Sequence, residues 1–257
     1  MTAVGAAAPH RGRPDSNLDR SLVFNPVMHG SLIRLFVATV ATLLVLPGAA
    51  SATIIEVGQL AEPSPPSCPT SPCEVISRTT AFQTRVAASR NLFTAPKAGR
   101  IVAWSITLGT PKPKQRKYFE ENLGGAAQAG ITVLRRGDRR YGRVTGESPV
   151  QTLTPYFGET VQFPLAASIP INAGDVVALT VPTWAPALGL GLGRDSVWRA
   201  SRDKDACDDT QTQSAQSDVN DLAQYKCAYR TARLTYSATL ITTPVPPKPE
   251  PEPEPRR

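Results

Sequence analysis

Val102-Ala103-Trp104-Ser105-Ile106-Thr107-Leu108 is the stretch that decides the fold. Val102, Trp104, Ile106 and Leu108 alternate with Ala103, Ser105 and Thr107, the period of two that sets bulky apolar side chains on one face of a half-buried strand. The pattern recurs on either side. Ile131 and Val133 repeat it before a turn at Arg136-Gly137-Asp138, and Val161, Phe163 and Leu165 follow, with Pro164 marking an edge strand or a bulge. The turn signal Asn172-Ala173-Gly174-Asp175 leads into Val177, Leu179 and Val181 on one face and Val176, Ala178 and Thr180 on the other. Near the end, Leu234, Tyr236, Ala238 and Leu240 alternate with Thr235, Ser237 and Thr239. No long stretch beyond residue 52 has convincing helical periodicity. Many short strands with Gly- and Pro-rich turns predict an all-β fold: a single antiparallel β-sandwich, jelly-roll-like, over residues 53–243, with disordered N- and C-terminal extensions.

Three segments interrupt the strands. Thr110 to Gly130 is a long insertion, basic at first and Gly/Ala-rich later, whose centre from Gln115 to Leu123 suits a short helix. Ser201 to Ala223 is polar, rich in Asp, Gln and Ser. Thr243 to Arg257 reads TPVPPKPEPEPEPRR, so residues 244–257 are expected to be an extended, solvated, disordered tail with too little apolar area to fold.

Ahead of the strands, residues 28–52 read as a secretory signal peptide. Met28 to Arg34 is a short positive head, Leu35 to Leu46 an apolar run, and Ala50-Ser51-Ala52 supplies the small residues of a cleavage site. The apolar run is 12 residues, well short of the ~20 that span a bilayer. Residues 1–27 are unusual before such a signal: either translation starts at Met28, or they form the tail of an uncleaved N-terminal membrane anchor. Cleavage after Ala52 predicts a secreted or envelope-associated protein and removes both histidines, His10 and His29. The remainder then lacks the commonest general base and metal ligand. It keeps 24 of 28 Lys and Arg and 19 of 21 Asp and Glu, a balance that favours acidic surfaces weakly and does not argue for nucleic acid.

All four cysteines, Cys68, Cys73, Cys207 and Cys227, lie beyond that site, an even count that favours disulfides in an exported chain. Of the three pairings, Cys68–Cys73 with Cys207–Cys227 closes two local loops and is the one expected. A zinc site is the alternative, although Cys68-Pro-Thr-Ser-Pro-Cys73 is wider than the usual CxxC.

Four segments, Phe93-Thr94-Ala95-Pro96, Gly99-Arg100-Ile101-Val102-Ala103-Trp104-Ser105, Ile131-Thr132-Val133-Leu134-Arg135 and Ile169 to Leu179, follow one another in an order that resembles a group of uncharacterised secreted β-sandwich proteins of high-GC actinobacteria. The resemblance covers roughly Ala81 to Ile241. It implies the sandwich fold and export, and it carries no catalytic residue. The insertion at Thr110–Gly130 and the cysteine-bearing loop depart from the group's compact pattern.

Candidate sites are few. Arg135, Arg136, Arg139, Arg140 and Arg143 cluster around Gly137-Asp138 and suit an anionic partner such as teichoic acid, phospholipid or acidic polysaccharide; a solvated hairpin end is the plain alternative. Trp184, between Pro182 and Pro186 in an expected loop, is the best candidate for stacking on a glycan, whereas Trp104 belongs to the core. Asp203, Asp205, Asp208 and Asp209 offer oxygen ligands but miss the calcium-loop template, so no metal is expected there. Ser201-Arg202-Asp203-Lys204 matches S-x-x-K by chance, without its partner motifs. Gly189-Leu190-Gly191-Leu192-Gly193 lacks phosphate-loop spacing and reads as a loop or weak strand. Glu120, Glu121, Glu147 and Glu159 are available carboxylates, but spacing selects no catalytic pair. The expectation is a secreted, non-catalytic binding or structural module of the cell envelope, using no cofactor, with a wall glycan or other polyanion as partner. A carboxylate-dependent glycan hydrolase or lyase is the alternative.

Overall fold

The computed structural model describes residues 51–59 and 64–244. The expected leader, apart from Ser51 and Ala52, lies outside them, as do residues 1–27 and the tail from Val245. The chain runs through β1 (Ile54–Val57), β2 (Ile76–Val86), β3 (Ser89–Arg90), β4 (Gly99–Thr107), helix α1 (Pro113–Asn122), β5 (Gln128–Arg136), β6 (Tyr141–Glu147) and β7 (Gln151–Thr152). It continues through β8 (Thr160–Ile171), β9 (Val176–Ala185), β10 (Leu188–Gly189), β11 (Val197–Ala200), β12 (Leu222–Gln224), β13 (Cys227–Arg230), β14 (Arg233–Leu234) and β15 (Tyr236–Thr242). Every pairing is antiparallel. A small sheet has the order β1-β15-β4-β8; a larger, curled sheet has the order β12-β6-β5-β9-β2-β11-β13, with β3 added beside β2 and β7 beside β5. The all-β sandwich predicted from the alternation is the fold observed.

The alternating residues of β4 make the floor of the small sheet. Ile101, Trp104, Ile106 and Leu108 are all but inaccessible, while Val102 is only half-buried. The reason is a bulge: Ile101 and Ala103 face Leu240 and Thr239, adjacent residues of β15, so Val102 is the extra residue and falls out of the inward set. On its other side β4 shifts register again, from Ile169 to Pro164 of β8. Pro164 therefore sits both on an edge strand and at an irregularity, where its missing N–H costs no ladder bond.

β9 is central to the large sheet and buried on both faces: Val176 through Val181 are each at most 2% exposed. Burying side chains of this kind contributes roughly 1.5–3 kcal/mol apiece. Tyr236 of β15 joins the sheets, donating its hydroxyl to the Val177 carbonyl at 2.9 Å and stacking on Phe93 with ring centroids 4.3 Å apart. At the curled edge Gly146 is required by close approach, since a Cβ there would stand 2.4 Å from Ile169 Cγ2.

The polar segment after β11 is a strap over the large sheet. The Thr180 hydroxyl bonds to those of Thr80 and Thr132, and Thr80 also exchanges bonds with the backbone of Gln216. Ser77 donates to the Thr210 carbonyl, and Arg78, opposite the β9 bulge and with φ 45°, reaches the Gln213 carbonyl. Buried Arg202 donates to the carbonyls of Cys207 and Ser77 and to the Tyr229 hydroxyl, and lies over the Tyr229 ring. The Cys207–Cys227 disulfide closes the strap, and Cys68–Cys73 closes the other local loop. With these sulfurs bonded to each other, the thiolate zinc alternative falls away. Two disulfides fit an oxidising compartment. Among the described residues no helix is long and apolar enough to cross a membrane.

Candidate functional site

The β5–β6 hairpin end carries the arginine cluster. Gly137 N–H donates to the Tyr141 carbonyl at 2.9 Å, closing the turn. Within it Arg139 and Arg140 take left-handed backbones, φ 51° and 68°, a conformation that costs a residue with a Cβ roughly 1–2 kcal/mol. Neighbouring chain holds them there: Tyr225 N–H donates to the Arg140 carbonyl at 2.9 Å, and Gln224 Nε2 to that of Arg139 at 2.8 Å.

This pinned turn forms one wall of a pocket of about 170 Å³. Phe82, Leu134 and Tyr225 make its apolar floor, with the Phe82 and Tyr225 rings 5.3 Å apart, and Arg136, Arg140 and Arg199 stand around it. Arg199 is fixed from behind, its Nη1 donating to the carbonyls of Tyr225 and Lys226 at 3.0 and 3.1 Å. Burial lowers the pKa of its guanidinium, and the like charges of Arg140 and Arg230 lower it further. The Tyr225 hydroxyl is buried without a hydrogen-bond partner among the described residues, and burial, then Asp221, pushes its pKa up. Among the described residues no carboxylate lines this pocket. Three arginines around an apolar floor favour a bound anion.

A second hollow of about 330 Å³ shares Arg136, Gly137 and Tyr141 with the pocket and is lined also by Arg135, Arg143 and Leu222, whose registers place them on the other face of the hairpin from Leu134 and Gly142. Tyr141 and Leu222 are 41% and 50% exposed, so apolar surface adjoins the cations. Of the arginines singled out by sequence, Arg136 and Arg140 line the pocket. Arg135 is an ion-pair partner of Asp175 at 3.4 Å, and Arg139 lines neither hollow. Arg199 and Tyr225 were not visible in the sequence pattern, because they enter from strands and loops about 60 to 90 residues further along the chain.

Trp184 is a correction. It is a fully buried β9 residue, not a loop platform: its ring packs against Phe119 of α1 and Phe157, and its Nε1 donates to the Gly125 carbonyl at 2.8 Å. The prolines around it misled. β9 advances from Val181 to Trp184 while β2 advances only from Thr79 to Ser77, so Pro182 lies in a bulge that needs no donor. The Thr110–Gly130 insertion then folds α1 over the ring.

Elsewhere the geometry assigns structural work. Ser201 Oγ accepts the Thr80 N–H at 3.0 Å and bonds to Thr79, while Lys204 is exposed and pairs with Asp205. Asp209 caps a turn of the strap through the amides of Gln211 and Thr212. Leu188-Gly189 is a two-residue strand against β14. Glu120 and Glu121 form i,i+4 ion pairs with Arg116 and Lys117 on α1. Glu147 has its pKa raised by desolvation and then by Asp218 and Asp221. No protein-family model matches this chain, and neither a curated protein nor a solved structure gives a significant match.

Proposed function

We propose that this is an exported, non-catalytic β-sandwich module that docks a polyanion of the cell envelope through the hairpin end of β5 and β6. One observation carries the reading: Arg136, Arg140 and Arg199 line one small pocket that no carboxylate lines among the described residues. Export is supported by the two disulfides and by the leader-like residues 28–52. The partner class is a wall glycan, teichoic acid or comparable polymer carrying repeated negative charge. Calorimetric titration with poly(glycerol phosphate) should show binding that weakens as salt rises. The double variant Arg136→Ala/Arg140→Ala should bind at least about tenfold more weakly, as expected for loss of charge-assisted hydrogen bonds. Arg139→Ala should bind like the parent. Equal affinity in parent and double variant would sink the reading. Turnover of a glycan by the purified protein would establish the catalytic alternative instead.

A further inference from the structure

A second recess lies on the other sheet and is independent of the arginine pocket. On the outer face of β15, β4 and β8 a cleft of about 480 Å³ opens, within the size range of small-molecule sites. Register explains its lining. Ser237 of β15 is paired with Ser105 of β4, and Ser105 with Gln162 of β8, so three polar side chains form one row across three strands. Neighbouring strands are about 4.8 Å apart, the scale of a pyranose ring. Thr107 and Thr160 make the next row, their hydroxyls 2.9 Å apart. Among the described residues the Ser237, Ser105 and Gln162 side chains have no hydrogen bond to protein, which leaves the row free for a ligand.

The feature that separates this face from an ordinary solvated sheet is Arg233. It lines the cleft yet is only 5% exposed. Its Nη2 donates to the Gly58 carbonyl at 3.2 Å, its Nε has no partner, and no carboxylate pairs with it among the described residues. Arg202 has an unpartnered Nε as well, but the rest of its guanidinium is received by two carbonyls, a phenol and a ring face. Among the described residues Arg233 has one carbonyl. Burying a cation so poorly matched is costly unless an anion completes it, and the lowered pKa that desolvation imposes on Arg233 reflects that cost.

Glu56 lines the cleft as well, oriented by the Thr239 hydroxyl at 2.6 Å. Among the described residues the cleft carries one cation and one anion, which suits a ligand with a single negative charge and several hydroxyls. A dianionic phosphate would meet repulsion from Glu56, and a neutral sugar would leave Arg233 unmatched.

We propose that this cleft binds a uronic acid residue, its carboxylate on Arg233 and its hydroxyls on the Ser237–Ser105–Gln162 row and Glu56. The test is calorimetry of the disulfide-intact protein with methyl β-glucuronoside, methyl β-glucoside and glucose 6-phosphate. The glucuronoside should bind, with the other two at least about tenfold weaker, the discrimination expected when a buried charge is left unpaired. Ser105→Leu fills the cleft from a strand face that tolerates it and should abolish binding while circular dichroism stays unchanged; Arg233→Lys should weaken binding about tenfold. Arg136→Ala/Arg140→Ala should bind the glucuronoside like the parent, which separates this site from the polyanion pocket. No heat with the glucuronoside, tighter binding of glucose 6-phosphate, or undiminished binding in folded Ser105→Leu would each overturn the proposal.

Discussion

Trp184 shows what a single side chain does in this fold. It is wedged under α1 by Phe119 and Phe157 and tied to Gly125 by its indole N–H. Trp184→Ala should cost about 3–5 kcal/mol, read from urea unfolding, because it opens a cavity and orphans a carbonyl. A loss below 1 kcal/mol would mean the ring is not the anchor of α1. Its role was illegible in the sequence because flanking prolines look like loop, and the bulge that accommodates Pro182 depends on a partner strand some 100 residues upstream. Trp104 was legible for the opposite reason. It sits in a strand whose other face meets solvent, so alternation reports burial directly. The arginines fall between the two: Arg136 and Arg140 stand out as a local cluster, but nothing local announces that Arg199 completes the pocket.

Among the elements, the strap depends most on local polar geometry. Asp209 sits at its turn, its carboxylate accepting the Thr212 hydroxyl and the amides of Thr212 and Gln211, and these bonds, the hydroxyl's first, hold it well below the usual carboxylate range. A carboxyl whose folded pKa is depressed stabilises the fold above its unfolded value, near 4, and that contribution fades as pH falls below it. An NMR titration of the Thr212 amide should therefore have its midpoint well below 4, and Asp209→Asn should abolish it. A midpoint close to 4 would contradict the capped turn. Helix α1 was legible as a helix because Gln115 to Leu123 carries i,i+4 charge pairs and two glycines follow. That α1 covers a tryptophan was not, since only tertiary packing decides what a short helix shields.

For the molecule as a whole, the buried tyrosines set the alkaline limit. Tyr225 and Tyr236 both have pKa values raised mainly by burial, so the folded state favours their neutral forms. That contribution is complete below the unfolded value of about 10 and is lost as pH climbs through it toward the folded values. Phenolate absorbance should show these two ionising last, together with loss of the circular dichroism of the fold; Tyr236→Phe should remove one of them. Early, reversible ionisation of all six tyrosines in a folded protein would rule this out. Strand existence was readable along the chain, but sheet order was not, because β9 lies between β5 and β2 through pairings that no neighbouring residues foreshadow. One such long-range pairing has a mechanical meaning. Thr53 exchanges bonds with Thr242, N–H to hydroxyl and carbonyl to N–H, so the chain enters and leaves the sandwich side by side. Tension applied between the two ends loads β1 and β15 as a zipper, breaking their bonds one after another at low force.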